Sequence, residues 1–370
     1  MKRTRGRDQM IASSLEHVKV AGIAAALPTH KVHSRDYGGV FGEKTVEKLI
    51  AATGVRECYH AHEKQTASDL AFSAAEHLLA EKNIDAGSIG VLLFATTSAD
   101  YLTPSSSMVL HKRLKASQDC IVYDIDLGCS GFVYGLQAAA SLLRTTTAER
   151  ALLLVGDTGS KIVSPYDTSR ILFGDAGAAA LLERTEEDVP PMRFGLKSDG
   201  ERFKAIIIPA GGLRDRDAPH EYVMWPDGLR RTGYHFYMDG METFNFTMRD
   251  VPRLFEEFTG YFRISHEDVD ALVLHQPNAF ILKHLAKRLG VPLEKVPLTI
   301  GHYGNTGSAS IPVTICDAFG GKQGVKRLML SGFGIGLSWG VASLELDLNA
   351  VLPVIHTDDY YKDGIVSHDR

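Results

Sequence analysis

Apolar and polar positions along this chain alternate in two rhythms. Nearly continuous apolar runs rich in Val, Ile and Leu recur at 18–26, 90–96, 120–127 and 151–156, the pattern of strands buried on both faces. Between them, 68–82, 105–114 and 131–144 space their apolar residues at helical intervals, with Ser68 and Ser105 placed to start their helices. The second half repeats the order: strand 271–275, helix 279–289, strand 295–299, helix 308–319, strand 327–331, a glycine turn, and strand 338–346. The alternation predicts an α/β fold.

The repeat carries an internal echo. VLLFATTS (91–98) parallels LVLHQPN (272–278), DIDLGCSGFVYGL (124–136) parallels LTIGHYGNTGSASIPV (298–313), and RALLLVGD (150–157) parallels KRLMLSGF (326–333). Two similar halves packed face to face follow from it. Cys129 and Asn305 then occupy equivalent strand-to-helix turns and His275 ends another strand. Ligand sites in open α/β sheets lie beyond the carboxyl ends of strands, so the three can converge.

Composition narrows the class. With 44% hydrophobic and 23% charged residues the chain suits a globular domain and not a disordered one, and a net charge of −5 offers no nucleic-acid footprint. The start is charged but lacks the apolar stretch of a signal peptide, and no run is long enough to span a bilayer. A cytoplasmic protein with no membrane partner is expected, and residues 1–17 read as an N-terminal extension. Cys58, Cys120, Cys129 and Cys316 are too dispersed for a disulfide framework or a zinc site.

Cys129 follows an apolar strand and precedes GFVYGLQAAASLL, so its thiol stands at the first turn of a buried helix between Gly128 and Gly131. Unpaired N–H groups there favour a thiolate. Taken singly, Cys129 can equally be a buried structural cysteine, His275 a satisfied strand-end histidine and Asn305 a turn residue. Together they suit carbon–carbon bond formation: a thiolate takes an acyl group, and two neutral donors hold the carbonyl of a second thioester while an enolate forms. The late turn SGFGIGLSWG (331–340), with Phe333, Gly334 and Ile335 at its tip, can add backbone N–H groups to an oxyanion hole or line the substrate pocket. It is no dinucleotide motif, since no helix or ribose-binding acid follows. His60, His62, His356, Asp358 and Asp359 read as solvated surface.

DLGCSGF around Cys129, FGDAGAAALL (173–182), HQPN (275–278), YGNTGSAS (303–310) and GFGIGLSWG (332–340) stand in one order, and with them the chain resembles the ketoacyl-ACP synthase III (FabH-type) family from about Val18 to Leu346. The resemblance implies a thiolase fold, two similar βα halves (18–185 and 186–347) in a five-layer α-β-α-β-α sandwich, with 348–370 left as a C-terminal tail. It implies a homodimer, a Cys129–His275–Asn305 triad, and ping-pong condensation between an acyl thioester and a malonyl thioester borne by an acyl carrier protein. No resident cofactor or metal is expected, CoA or carrier thioesters being substrates.

Departures from the family pattern bear on substrate. The Trp and Arg that grip CoA before the TG-x-R segment are Lys48 and Ala52 here. The arginine after HQxN that serves carrier docking is Phe280, leaving Lys283, Lys287 and Arg288 to supply a basic patch. Thr103 stands before Pro104 where some members place a pocket-shortening Phe, and Ile335 replaces a glycine. A decarboxylative Claisen condensation with a non-acetyl starter, in specialised or lipid metabolism, is the expected activity. The alternatives are an acyltransferase that passes the acyl group to a hydroxyl, amine or thiol, and an inactive partner subunit.

Overall fold

The computed structural model describes residues 10–366. In the first half, strands β1 (Ile11–Leu15), β2 (Val18–Leu27), β3 (Val91–Ala95), β4 (Ile121–Ile125), β5 (Arg150–Thr158) and β6 (Asp175–Arg184) are interleaved with helices α1 (Glu43–Thr53), α2 (Ala67–Glu81), α3 (Ser106–Leu114) and α4 (Gly131–Thr145). The second half runs β7 (Met192–Ser198), α5 (Gly240–Phe262), β8 (Ala271–Leu274), α6 (Ala279–Arg288), α7 (Ser310–Phe319), β9 (Val325–Gly334), β10 (Ser338–Asp347) and β11 (Ile355–His356).

One sheet has the order β11-β2-β6-β5-β3-β4, the other β1-β7-β10-β9-β8. In the first, β3 is parallel to both β4 and β5, while β6 is antiparallel to β5 and β2. In the second, β8 is parallel to β9, and β10 is antiparallel to β9 and β7. The run β2-β6-β5-β3 thus has its counterpart in β7-β10-β9-β8, and the sequence echo is an echo of topology.

The two-residue period of a strand sorts the side chains into layers. Val91, Leu93 and Ala95 of β3 face a central core, while Leu92 and Phe94 face outward onto α2, where Ala71, Ala74, Ala75 and Leu78 meet them. In β9, Leu328 and Leu330 point to the same central core, and Met329 and Phe333 point to the opposite face, against Phe246, Leu254, Phe255 and Phe258 of α5. Helices α4 and α7 fill the space between the sheets with Phe132, Leu136, Ile311 and Ile315. Helices outside, sheets, and a central helix pair make the five layers. Each large apolar side chain removed from water adds about 1.5–3 kcal/mol, and most lie in these three interfaces.

Several expectations are corrected. The strand expected at 295–299 is instead a 3-10 turn, Leu293–Lys295, followed by irregular chain. Pro297 has no N–H for a ladder, and the Gln276 side chain takes over: its Nε2 donates to the Leu274 and Pro297 carbonyls at 2.9 and 3.4 Å, and its Oε1 accepts from the Thr299 N–H at 3.0 Å. Part of the supposed N-terminal extension, 11–15, is strand β1, paired with β7 of the opposite half. The tail is not a loose appendage, since β11 pairs in parallel with β2. Residues 1–9 and 367–370 of those two segments lie outside the described residues. His60 is buried against Cys58, His62 meets the Asp358 carbonyl, and His356 Nδ1 lies 2.9 Å from the Pro28 carbonyl, so none of the three is simply solvated.

Candidate active site

Cys129, His275 and Asn305 all line one cavity of about 290 Å³. Their elements explain why. Cys129 sits between β4 and the central helix α4, Asn305 lies on the approach to the other central helix α7, and His275 is the residue after β8. The connecting turns of both halves open toward the same place. Phe333, Gly334 and Ile335 line the same cavity, as expected.

Asn305 is held on all sides. Its backbone N–H donates to the Leu172 carbonyl at 2.6 Å, and its carbonyl accepts from the Gly174 N–H at 3.1 Å, which makes Phe173 and Asn305 a bridge between halves. The side-chain Oδ1 accepts from the Gly307 N–H at 3.0 Å. That contact settles the orientation of the amide: oxygen to Gly307, NH2 left as a donor.

His275 is 2% exposed. Its N–H is fixed to the Ser331 carbonyl at 2.8 Å, its ring Nδ1 lies 2.8 Å from Ser310 Oγ, and Phe333 meets the ring edge-on. Burial pushes its pKa down to about 3, with only a weak opposing pull from the Gly307 carbonyl. The imidazole is neutral, as a hydrogen-bond donor to a carbonyl has to be when an oxyanion is to form without a competing formal charge.

The nucleophile turn is tied to the late glycine turn. Ser130 Oγ lies 2.6 Å from Ser338 Oγ, which donates in turn to the Ile335 carbonyl at 2.6 Å. A Cβ at position 334 would stand 2.8 Å from Cys129 Cβ and 3.0 Å from Sγ, so only glycine leaves the sulfur free. The lowered thiol pKa expected from the helix start is overturned. Burial first, then the negative charge of Asp157, push the Cys129 thiol up to about 12. Removing a thiolate from water outweighs the partial charge of one helix end, and the resting group is a thiol.

Asp157, at the end of β5, escaped the sequence reading. It is 4% exposed, lines the cavity, and accepts from the Thr97 N–H and Oγ1 at 2.8 and 2.9 Å and from the Ser308 N–H at 2.7 Å. Phe173 and Gly174, quoted only as part of a motif, emerge as the brace of Asn305.

Thr103 does not join the site. It is exposed in the loop between β3 and α3 and lines no part of the cavity of its own chain. Lys283, Lys287 and Arg288 are exposed on α6, whose first turn, through Phe280 and Ile281, forms part of the cavity wall. Lys48 and Ala52 are exposed on α1. Among the described residues no helix is long and apolar enough to cross a membrane, and no group of three His, Cys, Asp or Glu side chains is placed to hold a metal ion.

Two βα halves whose meeting loops bring together a Cys, a His and an Asn define the thiolase class of fold. Comparison with known proteins narrows this. Residues 123–200 match the family described as 3-oxoacyl-[acyl-carrier-protein (ACP)] synthase III, and 262–346 match its C-terminal part. The chain is 31% identical over 335 residues to beta-ketoacyl-[acyl-carrier-protein] synthase III of Clostridium perfringens, covering 90% of this chain and 100% of that one. The crystal structure of a 3-oxoacyl-(acyl-carrier protein) synthase from Burkholderia xenovorans superposes with a TM-score of 0.87 at 33% identity, over 94% of this chain and 99% of that one. OleA of Xanthomonas campestris, at 23% identity and a TM-score of 0.74 over 90% and 97%, shares the fold. The chain belongs to the 3-oxoacyl-[acyl-carrier-protein] synthase III family.

Proposed function

We propose that this protein joins an acyl starter, carried on Cys129, to a malonyl thioester by decarboxylative Claisen condensation, giving a 3-oxoacyl thioester. The observation that carries the proposal is the convergence on one cavity of a thiol, a neutral imidazole and an amide whose NH2 is left free by the Gly307 contact. In the first step the Cys129 sulfur attacks the donor's thioester carbonyl; the carbonyl carbon–sulfur bond to the donor breaks, and the thiol proton leaves on the released donor thiol. In the second, the Asn305 NH2 and the His275 imidazole N–H donate to the malonyl thioester oxygen. The bond to the carboxylate breaks, carbon dioxide departs, and its electron pair forms the enolate. The enolate carbon attacks the acyl carbonyl, and the Cys129 sulfur leaves and takes a proton from solvent to return to the resting thiol. Preorganised donors of this kind contribute about 3 kcal/mol each.

A starter larger than acetyl is supported by the cavity wall, where Ile162, Leu172, Phe173, Ile206 and Phe236 are all apolar. Delivery by an acyl carrier protein is supported by α6, which leads from the cavity wall to the exposed Lys283, Lys287 and Arg288, and by the absence of an aromatic platform at exposed Lys48 and Ala52. A homodimer is supported by β4, an edge strand of its sheet whose Ile121 and Tyr123 are 38% and 39% exposed.

Intact-mass analysis of wild type and Cys129→Ala against acyl-CoA and acyl-carrier donors, with malonyl carrier added and carbon dioxide followed, tests the reading. A Cys129-dependent acyl adduct beyond two carbons, then carbon dioxide and a lengthened product, is expected, from a protein that sediments at twice the 40.4 kDa chain mass. Acylation without carbon dioxide from any extender would replace condensation by simple acyl transfer, and a sharp preference for acetyl would remove the larger starter.

A further inference from the structure

Buried carboxylates outside a triad are expensive unless every lone pair is used, so Asp157 calls for an account. It belongs to β5, in the first half, yet its partners come from both halves. Oδ1 takes the Thr97 N–H at 2.8 Å and the Thr97 hydroxyl at 2.9 Å, with the Thr96 and Ser98 hydroxyls further out at 3.4 Å. Oδ2 takes the Ser308 N–H at 2.7 Å. Thr97 and Asp157 both line the cavity beside Cys129.

The Ser308 contact is the consequential one. Gly307, the preceding residue, has φ +58°, and a Cβ there would stand 2.3 Å from Asp157 Oδ2, so that no side chain fits. The same Gly307 gives its N–H to Asn305 Oδ1 and stands with its carbonyl beside the His275 ring. One carboxylate of the nucleophile's half therefore grips the turn on which the orientation of both carbonyl-binding groups depends.

We propose that Asp157 is a positioning residue that locks the Gly307–Ser308 turn to the half bearing Cys129, and so sets Asn305 and His275 at a fixed place relative to the nucleophile. This rests on the functional reading above. Asp157 touches the reacting atoms through neither oxygen: one is spent on the Thr97 loop and the other on the turn. Its charge has a second consequence: Asp157 lines the same cavity as Cys129 and disfavours the thiolate. Asp157 thus helps the condensing half of the reaction while holding back ionisation of the nucleophile, and the two effects separate under substitution.

In Asp157→Asn the amide oxygen keeps the Thr97 contacts, and the NH2 meets the Ser308 N–H donor to donor, releasing the turn. Decarboxylation of malonyl carrier is expected to fall about 100-fold, the scale of losing one oxyanion donor. Iodoacetamide alkylation of Cys129, followed by peptide mass over a pH series, is expected to shift to lower pH. Thr97→Val, which deletes only the hydroxyl contact, is expected to move both readouts the same ways by less. Alkylation and decarboxylation that fall together in both variants would make Asp157 a merely structural residue, and decarboxylation by Asp157→Asn at the wild-type rate would overturn the proposal. Wild type that alkylates normally but releases no carbon dioxide would overturn the functional reading instead, with the alkylation shift of Asp157→Asn still deciding the electrostatic part.

Discussion

At the scale of single residues, legibility followed sequence locality. Cys129 and His275 stand just beyond strong apolar runs and Asn305 in a glycine turn, so local pattern alone puts them in connecting turns, although the strand expected before Asn305 is absent. Asp157 shares such a position at the end of β5, but its partners lie 60 and 151 residues away, and nothing near it in the chain announces them. The direction of the Cys129 pKa was misjudged for the same reason: the helix start is local and visible, whereas burial and Asp157 are tertiary. His275 supplies a direct test at this scale. Its pKa, lowered from 6.5 to about 3 by burial, keeps the ring neutral at every pH above that value. Carbon dioxide release is therefore expected to show no acid limb with a midpoint near 6.5, and a pH–rate profile with such a limb, lost in His275→Gln, would contradict the buried neutral ring. Stability carries the same sign. The unfolded chain binds this proton below about 6.5 and the folded one does not, so folding weakens as pH falls through 6.5 toward 3.

At the scale of elements, the alternating runs gave β3 and β5 within a few residues, because strands buried on both faces leave a continuous apolar signature, whereas β4, read as buried in the same way, is an edge strand with no fully buried residue. The misread 295–299 has the same apolar composition as a strand. Pro297 denies it a ladder, and Gln276 supplies the hydrogen bonds from a side chain 21 residues earlier, a substitution no local pattern reveals. Helix α5 was not read at all. Pro252 interrupts its pattern, although Asp239 caps it by accepting from the Glu242 N–H, and Phe246, Val251, Leu254, Phe255 and Phe258 form one buried face. Helix α6 joins the apolar mouth of the cavity to exposed cations, with the Phe280 and His284 rings 4.0 Å apart and tilted by 35° in its first turns. The docking surface proposed for it predicts that Lys287→Glu with Arg288→Glu weakens the apparent affinity for malonyl carrier protein about tenfold or more while leaving small pantetheine thioesters unaffected. The loss is expected to shrink as salt screens the contact. Unchanged affinity for the carrier would remove α6 from the docking surface.

At the scale of the molecule, the two halves are fastened by segments that the repeat does not contain. Strand β1 crosses from the start of the chain to the second-half sheet. The C-terminal segment makes the reverse journey. The Leu352 N–H reaches the Ile23 carbonyl, β11 extends the first sheet beside β2, and Gln65 donates from Nε2 to the Thr357 and Asp359 carbonyls, both at 3.0 Å. Further on, the Tyr361 N–H donates to Asp69 Oδ1 at 2.8 Å with its ring 4.8 Å from the Arg113 guanidinium, and the Tyr101 hydroxyl donates to the Gly364 carbonyl. Asp69 and Arg113 form an ion pair at 2.7 Å whose side chains are 2% and 7% exposed, so this strap is what keeps that pair dry. Sequence reading left the segment as a tail because its anchors lie some 290 to 330 residues upstream. None of its residues lines the cavity, which separates its effect on stability from any effect on chemistry. Removing residues 352–370 is expected to lower the melting temperature by about 5 °C or more, from the lost hydrogen bonds and the wetted ion pair. Tyr361→Ala is expected to give a smaller part of that loss, with Cys129 alkylation at the wild-type rate in both proteins. Scanning calorimetry that finds the truncated and full chains melting together would show the strap to be a passenger, and slowed alkylation in a chain that melts normally would tie it to the site.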